Sequence, residues 1–198
     1  MLKVTKFGGS SMADAGQYQK VRPILLADPA RKVVIVSAAG KRDKKDHKIT
    51  DLLYLSFAHS QYGVDSSRIF DLIVERHTQI CDDLGVSIDV ESELAKLKHR
   101  LDEKTITQDE LVSRGEYFSA KLMAAYLGFK FVDAADWIRF NLDGTVDREK
   151  SYALLKELYD DGGIVIPGFY GTMPDGHIRT FSRGGSDITG ALAAAALD

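Results

Sequence analysis

The apolar positions of this chain change period along its length, and the changes mark its elements. Residues 2–7 (LKVTKF) alternate and are partly β-branched, which predicts a strand. FGGSS follows at once, and a helical stretch occupies 14–27. Residues 32–40 (KVVIVSAAG) form a continuous apolar run, the pattern of a strand buried on both faces of a parallel sheet. Strand, turn, helix, strand is a βαβ unit, so the fold class expected is α/β. Residues 41–48 (KRDKKDHK) contain nothing apolar and read as a mobile, solvated loop, either an attractor of anions or plain wet surface.

From 49 to 127 the spacing turns helical, with apolar residues three and four apart in LLYLSFAH, RIFDLIVERHTQICDDL and ELAKLKHRL. Thr107 and Glu110 have the form of a capping box that starts a long helix, and Gly128 is a plausible stop. FKFVDA (129–134) returns to strand, and DREKSYALLKELYDD is another helix. GGIVIPGFYG (162–171) reads as a buried strand running into a glycine-rich loop. TMPDGHIRT predicts a hairpin turning at Asp175-Gly176. SRGGSD then leads into a helical tail, ITGALAAAALD. That tail carries little polar surface and no stop signal, so further chain is expected beyond Asp198.

Composition narrows the classes. A chain of 198 residues can bury one sizeable core or at most two small domains. A hydrophobic share of 44% is ordinary for a globular protein and argues against disorder. A net charge of -3 gives no case for nucleic acid. Cys81 stands alone, so no internal disulfide can form, and no Cys/His cluster suggests a metal site. The opening MLKVTKFGGSS is too polar for a signal peptide, and no run approaches the ~20 apolar residues that span a bilayer. A cytoplasmic enzyme without a membrane partner is the expectation.

Four places carry candidate chemistry. Lys6, Gly8, Gly9 and Ser10 follow the first strand, where glycines let the backbone approach an anion and a helix amino terminus supplies free N–H groups. The same pattern also suits a plain tight turn. Arg183, Gly184, Gly185, Ser186 and Asp187 precede the last helix, with Arg183 as a fork for a carboxylate and Asp187 as an ammonium acceptor or a helix cap. Gly115 interrupts a predicted helix beside Glu116, at a cost of about 1 kcal/mol relative to alanine, so something nearby needs that space. Glu116 is then a second partner for an amino group, or a solvated helix residue. Ser37 ends the second strand, where ligands bind in parallel sheets, and Thr50 is either a ligand residue or a helix cap.

Taken together, KFGGSS, VIVSAAG, ITDLL, VSRGE, GFYG and SRGGSD occur in one order along all 198 residues. The chain resembles the aspartate kinase branch of the amino acid kinase family. The resemblance implies an αβα sandwich with a mainly parallel central sheet. Residues 1–198 would be the amino-terminal, substrate-binding part, with a helical insertion at about 49–127. It implies phosphorylation of the side-chain carboxylate of L-aspartate by ATP, with Mg²⁺ held mainly by the ATP phosphates, in a homo-oligomer. Lys6 and Asp187 would take catalytic positions, with Lys6, Gly8, Gly9 and Ser10 on the phosphates. Ser37, Thr50, Glu116, Arg183, Gly184, Gly185, Ser186 and Asp187 would hold aspartate. The family continues into a strand and a TDVDG-like segment that grips the nucleotide. That segment is not found before Asp198, so the expectation is that the carboxyl-terminal nucleotide lobe is missing. Two alternatives stay open: a sister kinase acting on glutamate or N-acetylglutamate, and an inactive fragment that binds aspartate or dimerises.

Overall fold

A computed structural model describes residues 1–198. Four parallel strands form the central sheet: β1 (Val4–Phe7), β2 (Val33–Val36), β3 (Lys130–Phe131) and β4 (Ile164–Pro167). Their order is β1-β2-β4-β3, so β4 is inserted between β2 and the earlier β3. The four residues of β2 and of β4 are all buried, as the unbroken apolar runs require.

Alternation along these strands divides the protein into two cores. Val34, Val36 and Val165 point to one face, with Tyr18, Leu53, Phe70, Leu94 and Met123. Val33, Ile35, Ile164 and Ile166 point to the other, with Trp137, Leu155, Tyr170 and Leu192. Helices α1 (Ala15–Leu26), α2 (Ile49–Gln61), α3 (Ser67–Leu84), α4 (Val90–Asp102) and α5 (Gln108–Leu127) build the first core. The short α6 (Ala134–Trp137), α7 (Arg148–Leu158) and α8 (Gly185–Ala196) build the second. Helices thus cover both faces of a parallel sheet, which is the αβα sandwich expected.

Local signals explain most of the boundaries. In the predicted capping box, the Thr107 side chain accepts from the Glu110 N–H at 3.2 Å. The reciprocal half is not made, because the Glu110 carboxylate turns to Arg100, with Nη2 to Oε2 at 2.9 Å. Gly128 closes α5 in the left-handed region at φ 71°, as its position suggested. Cys81 is 7% exposed on α3, and its thiol donates to the Val86 carbonyl, so it is a core residue.

In 162–171 the buried strand β4 gives way at Gly168 and Phe169, the latter at φ 88°, where a glycine-rich loop was expected, and the chain resumes as β5 (Tyr170–Thr172). A side chain at 168 would meet Ser186 at 2.4 Å, so helix α8 sits where the strand would have continued. β5 pairs with β6 (Ile178–Thr180) in a separate antiparallel hairpin, with Gly176 at φ 87° in its turn. The loop 41–48 is solvent-exposed, as expected, but it is anchored, which a mobile loop would not be. Asp46, with 10% side-chain exposure, receives Arg76 Nη2 at 2.6 Å and 2.7 Å on its two oxygens. Arg76 lies on α3 with 4% exposure, and a charge buried that far needs such a partner.

Candidate active site

Parallel strands send all their carboxyl ends to one edge of the sheet, and the loops there converge. β1 ends in Gly8 and a turn of 3₁₀ helix from Gly9 to Met12. β2 ends in Ser37–Gly40, and β4 ends in Gly168 beside the start of α8. The first two loops touch through glycine. The Gly40 N–H donates to the Gly9 carbonyl at 2.8 Å. A Cβ at residue 40 would fall 2.6 Å from the Gly9 carbonyl carbon, so neither loop tolerates a side chain there.

A cavity of about 480 Å³ opens at this edge. Its walls include Gly9 and Ser10 from the first loop, Ser37 to Lys41 from the second, and Lys48, Thr50 and Glu116. A larger cavity of about 670 Å³ lies between β1 and α8, but its lining is almost wholly apolar and holds none of the candidate residues. The smaller one is where the chemistry gathers.

Glu116 is the group that gives the cavity its character. It is 5% exposed on α5, and its Oε2 has no hydrogen-bond partner. Burial pushes its pKa up to about 8, against partial relief from the backbone N–H groups of Ala38 and of Glu116 itself. A buried carboxyl with one unpartnered oxygen, in a residue that lines a polar cavity, is prepared to receive a cation. The glycine beside it has a packing reason. A Cβ on Gly115 would lie 2.8 Å from Cβ of Ala38 and 3.3 Å from Cδ1 of Leu53, so α5 presses directly on the β2 loop and on α2. The space is taken by neighbouring side chains.

Lys6 and Asp187 meet on the rim. Lys6 Nζ lies 2.9 Å from Asp187 Oδ1, with side-chain exposures of 30% and 70%. A Cβ on Gly8 would stand 3.9 Å from Lys6 Nζ, so the ammonium hangs beside the glycine loop. Asp187 therefore pairs with a cation, while Gly184, at φ 58°, occupies the cap position of α8. Ser186 is drawn in through Ser37, whose Oγ donates to Ser186 Oγ at 3.0 Å. Thr50 is the second residue of α2 and lines the cavity, and Lys48 holds the cap position.

Three expected residues stand apart. Lys6, Gly8, Ser186 and Asp187 lie outside the cavity lining but adjoin its residues through the contacts above or in the chain, whereas Arg183, Gly184 and Gly185 are neither in the lining nor tied to it, and Arg183 is exposed without an ion pair. Gly185 instead packs against Phe169, 2.7 Å from its Cα to a Cβ built on the glycine. Lys41 and Lys48 line the cavity although the sequence did not single them out. Their signal was the basic run itself, read there as a loop of undecided role. Arg76 was missed as well. It donates to the Gly40 carbonyl at 3.0 Å and to the Ala13 carbonyl at 3.3 Å, tying the two loops to α3.

Comparison with known proteins agrees with this geometry. Residues 1–198 match the amino acid kinase family. Aspartokinase 3 of Bacillus subtilis is 37% identical over 211 residues, which cover 98% of this chain and 46% of that protein. The crystal structure of Clostridium acetobutylicum aspartate kinase superposes with a TM-score of 0.94 at 45% identity, over 98% of this chain and 45% of the other. E. coli aspartokinase III in complex with aspartate and ADP gives a TM-score of 0.84 at 26% identity, over 100% of this chain and 47% of the other. The chain spans about half the length of these relatives. No helix is long and apolar enough to cross a membrane. With the fold, the motif order and these matches in accord, the chain belongs to the amino acid kinase family and is similar to aspartate kinases.

Proposed function

We propose that this chain is the substrate-binding part of an aspartate kinase, which transfers the γ-phosphoryl group of MgATP to the side-chain carboxylate of L-aspartate and yields 4-phospho-L-aspartate and ADP. Residues 1–198 then form the amino-terminal part of the catalytic unit, with the helices at about 49–127 inserted into it. The observation that carries the reading is Glu116: a buried carboxyl, one oxygen unpartnered, in a cavity bounded by a glycine-rich loop. A free α-ammonium satisfies that oxygen and recovers the cost of burying it.

The roles follow from position. The carboxylate of aspartate attacks the γ-phosphorus while the bond to the ADP oxygen breaks. Little covalent work falls to the protein, which supplies alignment and charge. Lys6 neutralises charge on the transferring group, and Asp187 at 2.9 Å holds its ammonium beside the loop. Gly8, Gly9 and Ser10 offer backbone N–H groups to phosphate oxygens, where any Cβ at residue 9 would strike the Ala38 carbonyl at 2.9 Å. Ser37 and Thr50 line the cavity, and Ser186 adjoins it through its hydrogen bond with Ser37. Arg183, Gly184 and Gly185 lie outside the lining, and their assignment to aspartate rests on motif order alone. Mg²⁺ belongs to the nucleotide phosphates and their water. A homo-oligomer in the cytoplasm completes the reading.

Glu116 also weighs against N-acetylglutamate as the acceptor, because an acetylated nitrogen carries no charge to pair with it. Trapping acyl phosphate with hydroxylamine tests the proposal on the gene product that carries this chain. With MgATP, aspartyl hydroxamate should form. Product from N-acetyl-L-glutamate with none from L-aspartate would refute it.

A further inference from the structure

Sequence alone leaves two readings of the basic loop 41–48, an attractor of anions and plain wet surface. Its base is closed: the Ile49 N–H donates to the Ala39 carbonyl at 3.0 Å, and Ile49 is fully buried. Its middle is pinned by the Asp46–Arg76 pair, and Arg76 also holds the Gly40 carbonyl immediately before Lys41. Lys41 and Lys48 are thereby set on either side of the closed base, and both line the 480 Å³ cavity. Lys44 and Lys45, in the same loop, do not. Among the basic residues of the loop, Arg42 alone has an acidic partner, Asp46. The two lining lysines have no acidic partner, and both are exposed.

The charge inventory of that lining has one acid, Glu116, and two cations, Lys41 and Lys48. L-Aspartate has the complementary set, one ammonium and two carboxylates. We infer that Lys41 and Lys48 hold the carboxylates of the amino acid substrate and form the cationic side of its site, a role the sequence had given to Arg183 alone. The inference rests on the aspartate reading above and adds residues to it. A lysine binds a carboxylate as a point charge on a flexible stem, so each should contribute to affinity without the fixed geometry of a guanidinium fork. The anchoring of the loop limits the entropy lost when the lysines close on the substrate.

Calorimetric titration of L-aspartate tests this on the parent chain, Lys41→Ala, Lys48→Ala and a Lys44→Ala/Lys45→Ala double variant. Each single lining variant should raise Kd roughly tenfold, as expected for a lost hydrogen bond to a charged group. The double variant removes more charge from the loop and should stay within about twofold, since screening leaves little of a distant exposed charge. Parent-like affinity in both lining variants would overturn the inference while leaving aspartate in the site. So would an equal loss in the Lys44/Lys45 variant, which would mean a diffuse field in place of contacts. A loss seen for inorganic phosphate and not for aspartate would assign the lysines to phosphate, against the inference. A parent that binds no aspartate would defeat the reading of the cavity itself, and the inference with it.

Discussion

Replacing Glu116 with glutamine should make the unliganded protein more stable in mild alkali and less able to bind aspartate. Glu116 has its pKa raised from 4.5 to about 8, chiefly by burial. Below pH 4.5 the carboxyl is protonated in both folded and unfolded chains and contributes nothing. Between 4.5 and about 8 the unfolded chain has released the proton and the folded chain retains it, so the fold loses stability as pH rises. At 1.36 kcal/mol per pH unit, that interval amounts to at most about 5 kcal/mol, reached above pH 8. Glutamine has the same shape and does not titrate. The pH-dependent gap between Glu116→Gln and parent should therefore be below about 1 kcal/mol at pH 5 and grow to several kcal/mol at pH 8.5. Urea unfolding at a series of pH values measures it directly. Curves that stay parallel across this range would refute the buried, proton-holding state of Glu116. The same variant should weaken aspartate binding by about tenfold to a hundredfold, the range for a hydrogen bond to a charged partner.

Other variants probe the frame around the cavity. Gly115→Ala should cost about 1–3 kcal/mol through overpacking on Ala38 and Leu53, despite the helix propensity it gains, and a rise in the denaturation midpoint would contradict that packing. Arg76→Met should cost roughly 3 kcal/mol, because Asp46 keeps only Arg42 as a partner, and a loss below about 1 kcal/mol would show that the pair is not needed to hold the loop. Lys6→Ala should leave the circular dichroism spectrum and unfolding midpoint of the chain near the parent's while lowering kcat of the active gene product by about a hundredfold or more; an unchanged kcat would remove Lys6 from phosphoryl transfer.

The fold was legible where the signal was local. VVIV and IVIP announced buried parallel strands because a strand covered on both faces admits no polar residue. Thr107 and Gly128 marked the ends of α5 through backbone chemistry that needs no partner far away. Glu116, Ser37, Thr50, Lys6 and Asp187 were singled out from motif order; the fold brings Glu116, Ser37 and Thr50 to one cavity and pairs Lys6 with Asp187. What escaped depends on distant partners. Arg76 looks like one charge among several on a helix until Asp46, thirty positions earlier, and Gly40 are brought to it. The same contacts anchor the loop 41–48, which stays exposed to solvent. The glycines after IVIP marked the end of that strand, but the approach of Ser186 to Gly168 was not readable within 162–171. Arg183 was assigned by its chemistry alone, and chemistry does not say which way a loop faces.

The central claim is that the cavity receives a free amino acid through Glu116. Calorimetry of L-aspartate against N-acetyl-L-aspartate, at pH 7 in two buffers of different ionisation enthalpy, tests it most directly. Because Glu116 holds its proton up to about pH 8, an ammonium that pairs with it must displace that proton. The account predicts that L-aspartate binds with release of nearly one proton and that the acetylated compound binds at least tenfold more weakly. Equal affinity for the two, or binding of L-aspartate without proton release, would contradict it.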